Sequence, residues 1–318
     1  MSKNKIKSSE ISVIIQGAVT KDETARCIRS IRKYLPHAEI ILSTWQDSET
    51  NGLNYDTLVL SKDPDNLGLH YYNNRVVPYN FNRQLVSTQE GLNKAKRKYA
   101  LKIRSDFFLK NVEFLNFFDL YPIRGSEFKY FKHRVIVPSV FSRSFSEETG
   151  FPLPFHPSDF FFFGLREDLM DYFSHCTVLD KKQGCDWHYK LPDRKPYRSE
   201  TGRYTAEQEL CLSWLHWHGI QPNYEDFSDW SEEITELSYK ILFNNFIFLN
   251  PKSIGLGSTK HSEKLFKAQY NPWYGLITQQ IFEQRYREQY DTQFTLHKYK
   301  KRNWFYYIVR LLKSAKGL

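Results

Sequence analysis

The chain is short of the features that classify a protein quickly. It has four cysteines, Cys27, Cys176, Cys185 and Cys211, with no CxxC pair and no short regular spacing. That excludes a disulfide framework and suits reduced thiols in a cytosolic protein. His175-Cys176 and Cys185-x-x-His188 come nearest to a zinc set, but the gap between them matches no structural zinc spacing. No apolar run approaches the ~18 residues of a membrane span, and none precedes the first strand as a secretory signal would require. The expectation is therefore a protein made and kept in the cytoplasm. Neither GxGxxG nor GxxxxGK[ST] occurs, which argues against a dinucleotide oxidoreductase and a P-loop enzyme. Internal repeats and low-complexity tracts are also lacking.

What is present is 318 residues, 41% hydrophobic and 25% charged, with an aromatic share of 17% from 25 Phe, 21 Tyr and 7 Trp. That length supports one large or two ordinary domains with a buried core. The net charge of +9 suggests nucleic-acid binding until it is counted by segment. Residues 292–318 hold seven Lys/Arg and no acid, residues 1–10 hold three Lys against Glu10, and residues 11–291 hold 35 charges of each sign. The expected organisation is a basic tail at 1–10, one catalytic domain at 11–291 with a nucleotide-binding half (11–110) and an acceptor half (111–291), and a basic segment at 292–318. A neutral body without a basic, aromatic-laced patch makes nucleic acid a poor partner.

Ile11–Ile15 reads as a buried strand ending in the Gln16-Gly17 turn. Thr20-x-x-Glu23 is a capping box that opens a helix stopping before Pro36. Strands follow at 38–44 and 57–60, then a long polar loop carrying Lys62-Asp-Pro-Asp-Asn66 and Tyr71-Tyr-Asn-Asn-Arg75, a helix over 80–95 and a strand over 99–103. Strands alternating with helices imply βαβ units and a mostly parallel, Rossmann-like α/β sheet flanked by helices. The second half is less regular: strands at 134–138, 160–163 and 246–249, a short helix from Arg166, loop over 174–203, a helix capped by Thr205-x-x-Gln208 and another over 232–244.

Ligands of open parallel sheets bind beyond the carboxyl ends of the strands. That selects Gln16, Gly17 and Ala18, Thr44-Trp45, Ser61-Lys62-Asp63, and Arg104, Ser105 and Asp106. Gly17 lets a ligand approach the backbone, and the next helix N-terminus offers N–H groups to an anion. Asp106 would hold Mg²⁺ or Mn²⁺ beside a phosphate, cap the next helix, or pair with Arg104.

Val13-Ile-Ile-Gln-Gly17, Ser30-Ile-Arg-Lys-Tyr-Leu-Pro36, Glu39-Ile-Ile-Leu-Ser-Thr-Trp45, Asn82-Arg-Gln84 and Lys102-Ile-Arg-Ser-Asp106 occur in the order of the WavE family. Ser158-Asp-Phe-Phe-Phe-Phe-Gly164 and Ala206-Glu-Gln-Glu-Leu210 resemble it too, so the likeness covers roughly residues 11–215. Proteins of that family are linked to lipopolysaccharide and capsule synthesis and look like glycosyltransferases of the GT-A type. The resemblance implies that Gln16, Gly17 and Ala18 lie against a nucleotide-sugar, with Asn82, Arg83 and Gln84 facing the same cleft. It also implies that Arg104-Ser-Asp106 occupies the place of an Asp-x-Asp element. Here the first acid is a cation, so Asp106 would ligate Mn²⁺ or Mg²⁺, or Arg104 would neutralise the diphosphate directly.

Glycosyl transfer with inversion needs a carboxylate that takes the acceptor hydroxyl proton. The candidates are Asp159, partly desolvated by its aromatic run, and Glu207 or Glu209 in the first turn of a capped helix. Asp159 is the first choice, and capping is the ordinary alternative for each. His156 reads as a loop residue, Phe160–Phe163 as core, and Trp214, Trp217 and His218 as one packed helix face. From Trp304 to Leu312 apolar residues gather on one face and basic residues opposite. This predicts a C-terminal amphipathic helix, either packed on the domain or lying on an anionic inner-membrane surface through residues 296–318. The expected activity is sugar transfer from a nucleotide-sugar to a surface-polysaccharide or lipid-linked glycan acceptor. The alternatives are a nucleotide-dependent phosphotransferase or nucleotidyltransferase, and a non-catalytic assembly protein.

Overall fold

In chain order the first half runs β1 (Ile11–Gln16), α1 (Lys21–Tyr34), β2 (Glu39–Trp45), β3 (Thr57–Ser61), β4 (Leu69–Tyr72), β5 (Arg75–Pro78), α2 (Phe81–Lys94), β6 (Tyr99–Arg104) and β7 (Phe107–Leu109). The second runs β8 (Val135–Pro138), β9 (Phe161–Leu165), α3 (Arg166–Ser174), α4 (Ala206–Trp217), α5 (Glu232–Asn245), β10 (Phe246–Leu249), α6 (Pro251–Ile254), β11 (Leu256–Ser258) and α7 (Gln279–Gln289). This computed structural model describes residues 6–72, 75–146, 150, 152–180, 203–226, 229–258 and 275–297. The expected amphipathic helix over 304–312, Cys185, His188 and most of the expected loop over 174–203 lie outside the described residues.

Seven strands form one sheet in the order β10-β8-β9-β6-β1-β2-β3. β1 pairs in parallel with β2 on one side and β6 on the other, β2 with β3, and β10 with β8, while β9 runs antiparallel to β6 and β8. The sheet is thus mostly parallel with one reversed strand, a Rossmann-like α/β architecture. Chain order runs outward from β1 to β3 and then returns to place β6 on the opposite flank of β1. The carboxyl end of the β1–β6 pair is therefore a topological switch point, where such sheets open a crevice. β9 runs the other way, so its amino end reaches the same edge.

The inner strands are near-continuous apolar runs because both faces are covered, while the edge strand β3 leaves Leu60 exposed. Ile11, Val13, Ile14 and Ile15 are all fully buried, as are Leu101, Ile103, Phe161 and Phe163. α2 comes close enough to the sheet that a Cβ on Gly91 would overlap Ile14 Cγ2 and stand 3.2 Å from Ser43 Cβ. Among the described residues many aromatics pack in the core: Phe114 meets Phe161 and Phe163 edge-on at 5.3 and 4.9 Å, and Phe131 stacks on Trp214 at 4.6 Å.

Two expectations from the sequence need correction. The polar stretch 62–79 is not all loop, because β4 and β5 pair antiparallel with Leu69 opposite Pro78 and Tyr72 opposite Arg75. This ribbon stands apart from the main sheet, so its residues lack the continuous apolar signature of a covered strand. The Thr20-x-x-Glu23 capping box does not form as read. The Thr20 hydroxyl donates to the Glu23 carboxylate at 3.1 Å, and the Thr20 N–H goes to Thr24 Oγ1 at 3.1 Å. The second box does form: Thr205 Oγ1 accepts from Gln208 N, and Gln208 Oε1 from Thr205 N, both at 3.2 Å.

Candidate functional site

Three strand ends are knitted together at the switch point. Gln16 at the end of β1 stands opposite Arg104 on β6 and Ser43 on β2. Its carbonyl accepts from Ser105 N at 3.0 Å, and Gly17 N donates to Ser43 O at 3.2 Å. The Ser105 hydroxyl donates to Ala18 O at 2.6 Å. Gly17 has φ +109°, and the nearest neighbour to a Cβ there would be Ser105 Oγ at 3.6 Å. Backbone conformation, more than crowding, thus calls for glycine at this turn. The Gln16 side chain is 4% exposed and accepts from Ser87 Oγ on α2 at 2.8 Å, which ties that helix to the strand end.

Arg104 and Asp106 form a two-pronged pair at 3.0 and 2.7 Å, which leaves each carboxylate oxygen a second lone pair. Two of the five N–H groups of Arg104 are used in this way. The guanidinium also stands over Phe160 at 4.9 Å and Phe107 at 5.5 Å. A Mg²⁺ or Mn²⁺ site needs carboxylate oxygens free to face the ion. Among the described residues no group of three His, Cys, Asp or Glu side chains is placed to hold a metal. An ion held by Asp106 would therefore depend on phosphate oxygens and water for the rest of its shell.

Asp159 lies just before β9 and is 5% exposed. Its main-chain carbonyl accepts from Lys102 Nζ. Burial first, and the Glu207 carboxyl second, raise its pKa above the usual carboxylate range, while Lys102 and Arg104 oppose that shift. Glu207, in the first turn of α4, is also raised by burial, against its own backbone N–H, Arg143, the Thr205 hydroxyl and Arg104. Its Oε2 stands 3.6 Å from His156 Nε2. Burial, helped by Arg143, pushes His156 down to about 3, so the ring is neutral at physiological pH. Ser139 Oγ and Ser158 Oγ, after β8 and before β9, are buried and complete no hydrogen bond, and the Gln84 amide faces the Asp159 carboxyl. Native interiors leave few such unpaired atoms, and a pair of them at the strand-end crevice is what a polar ligand would satisfy.

The other expected residues separate. Asn82 spends its amide on Leu179, donating to the carbonyl and accepting from the N–H, both at 2.8 Å. Arg83 clasps Asp63 with two bonds at 2.8 and 2.7 Å, and the Asp63 carboxyl is held below its ordinary pKa first by that hydrogen bonding. Of the three consecutive residues only Gln84 turns to Asp159. Glu209 has Arg203 as its charged neighbour. It is 9% exposed, and burial, opposed by Arg203, pushes it up to about 7. Trp214 is buried, with its indole N–H on Asp171 at 2.7 Å. Trp217 is 64% exposed and stacked on His175 at 3.9 Å. It lies about 15 Å along α4 from Glu207, from the helical rise per residue.

Sequence reasoning overlooked Lys102 and Arg143 and discounted His156. Lys102 left a signal: it is the one charge inside the apolar run Tyr99–Ile103, and it is fully buried. Arg143, 6% exposed, follows β8 in irregular chain where no pattern points to the site. The assembled edge holds three cations (Lys102, Arg104, Arg143), three carboxyls (Asp106, Asp159, Glu207) and a neutral imidazole. It can bind an anion, and it can move a proton through a carboxyl whose pKa burial has raised.

Among the described residues no helix is long and apolar enough to cross a membrane. Comparison with curated proteins finds no match. A family model for WavE lipopolysaccharide synthesis matches residues 11–316, nearly the whole length. With the Rossmann-like sheet and the strand-end cluster, that match identifies the chain as a member of the WavE lipopolysaccharide-synthesis family.

Proposed function

We propose that this chain is a glycosyltransferase of GT-A type that passes a sugar from a nucleotide-sugar to a glycan or glycolipid acceptor of lipopolysaccharide. The observation that carries the reading is Asp159, a buried carboxyl beside Glu207 at the switch point. An alcohol is a poor nucleophile until its proton begins to leave, so a desolvated carboxylate at the reacting centre is the group this chemistry needs. The nucleotide diphosphate lies against the Gln16-Gly17-Ala18 turn, and Arg104 meets its charge. In this reading Arg104, held by Asp106, supplies the positive charge at the diphosphate. Asp159 takes the acceptor proton while Glu207 and His156 line the acceptor side.

The test incubates the purified chain with a panel of nucleotide-sugars and lipopolysaccharide-derived acceptors, with Mn²⁺ and with EDTA, and follows donor cleavage and product mass. The expected result is transfer from one donor that persists in EDTA. Failure to bind or cleave any nucleotide-sugar would remove the enzyme reading, and transfer abolished by EDTA would return Asp106 to a metal.

A further inference from the structure

Lys102 is an expensive residue where it stands. It sits inside β6 between Ile14 on β1 and Phe162 on β9, and its side chain is fully buried. An ammonium removed from water is unfavourable unless paired, and an apolar residue at this position would serve the sheet better. Its nitrogen donates to the Asp159 carbonyl and stands 5.8 Å over the Phe162 ring. Burial pushes its pKa down to about 8, and the charges acting on it are the carboxyls of Asp159, Asp106 and Glu207 and the like charge of Arg104.

The count of charges gives Lys102 a role. Asp106 is matched by Arg104 in a two-pronged bond, and Arg143 acts on Glu207. Asp159 is then left with Lys102 as the cation not otherwise matched. We propose that Lys102 is a positioning residue for Asp159: it pins the peptide carrying the carboxyl and supplies the charge that lets that carboxyl stand ionised next to Glu207. This rests on Asp159 being the base of the proposed transfer. Without the ammonium, three carboxyls face two cations, and the most buried of them keeps its proton.

The test is Lys102→Met, with Asp159 titrated by carboxyl ¹³C NMR and assigned by the resonance lost in Asp159→Asn. The expected midpoint rises by at least one pH unit, a tenfold gain in proton affinity. The acid limb of the transfer rate moves by the same amount, and Lys102→Arg restores most of both. A merely structural lysine would lower stability and leave the midpoint in place, and a midpoint that moves by less than about 0.3 pH overturns the proposal. Should Lys102→Met not fold, the side-chain ¹⁵N titration of Lys102 is compared between the native chain and Asp159→Asn. The lysine midpoint falls by at least one pH unit when its counter-charge is removed, and an unmoved midpoint overturns the proposal equally. Because both titrations need no turnover, a chain that transfers no sugar defeats the functional reading without deciding the role of Lys102.

Discussion

Glu207 and Glu209 sit two positions apart on α4, about 200° around the helix axis at ~100° per residue, and their surroundings differ accordingly. Glu207 looks toward Arg143, Arg104 and the Thr205 hydroxyl, whereas Glu209 has Arg203 to offset its burial. With a native pKa of about 7 against an ordinary value of 4.5, Glu209 holds its proton in the folded chain after the unfolded chain has released it. Folded protein therefore binds more protons between those values, and stability falls as pH rises through that window. The cost once Glu209 is charged is on the order of 3 kcal/mol, since each tenfold change in proton affinity is worth about 1.4 kcal/mol. In urea melts the stability difference between Glu209→Gln and the native chain should grow in favour of the variant from pH 5 to pH 8. A difference that does not change with pH would mean that Glu209 is already ionised at the lower value.

At the level of single residues the sequence revealed types better than directions. Asp159 was legible because an acid before a run of phenylalanines is bound to be desolvated, and Glu207 because a capping box fixes where the first turn begins. Asn82, Arg83 and Gln84 were not separable, since three successive helical residues fan over about 200°. The partners that claim two of them lie far off in sequence: Asp63 is 20 residues from Arg83, and Leu179 is 97 from Asn82.

Among the elements, α2 has the narrowest tolerance. It bridges Gln16 through Ser87, the loop after β3 through Arg83, and the 179 segment through Asn82. All three contacts require the helix to lie close, and Gly91 is what permits it. A methyl at Gly91 would overlap Ile14 Cγ2 on β1, and overpacking of this kind typically costs about 1–3 kcal/mol. Gly91→Ala should lower unfolding stability by that much and, by shifting α2 outward, also weaken donor binding. Unchanged denaturation would mean that the helix has room to move at no cost. The covered strands were easy to read, because burial on both faces gives unbroken β-branched and aromatic runs. The β4–β5 ribbon and the short pairing of β7 with β11, Leu109 opposite Leu256, were not. β7 and β11 are held by partners remote in sequence, and the β4–β5 ribbon, a local hairpin, carries no continuous apolar run.

Over the whole molecule, charge and chemistry are segregated. The body from 11 to 291 is balanced, and seven basic residues lie beyond it. The last described residue, His297, is fastened to the body: its Nδ1 lies 2.8 Å from the buried Glu283 carboxylate, and its N–H donates to the same carboxylate at 3.1 Å. We propose that the basic segment beyond it meets an anionic membrane surface, where each Lys or Arg contributes about 1 kcal/mol. Truncation after His297 should keep the fold and abolish sedimentation with vesicles rich in anionic lipid, and sedimentation equal to that of the full chain would refute the anchor.

The strand-end edge is where sequence, topology and electrostatics converge on one atom group, the Asp159 carboxyl. The most direct measurement is the rate of sugar transfer by Asp159→Asn at saturating donor, with donor affinity measured on the same protein by calorimetry. The expected result is a loss of at least about 100-fold in kcat, the scale of a missing general base, with donor Kd unchanged. Transfer within a few-fold of the native rate would contradict the role of Asp159 and move the proton acceptor to another group.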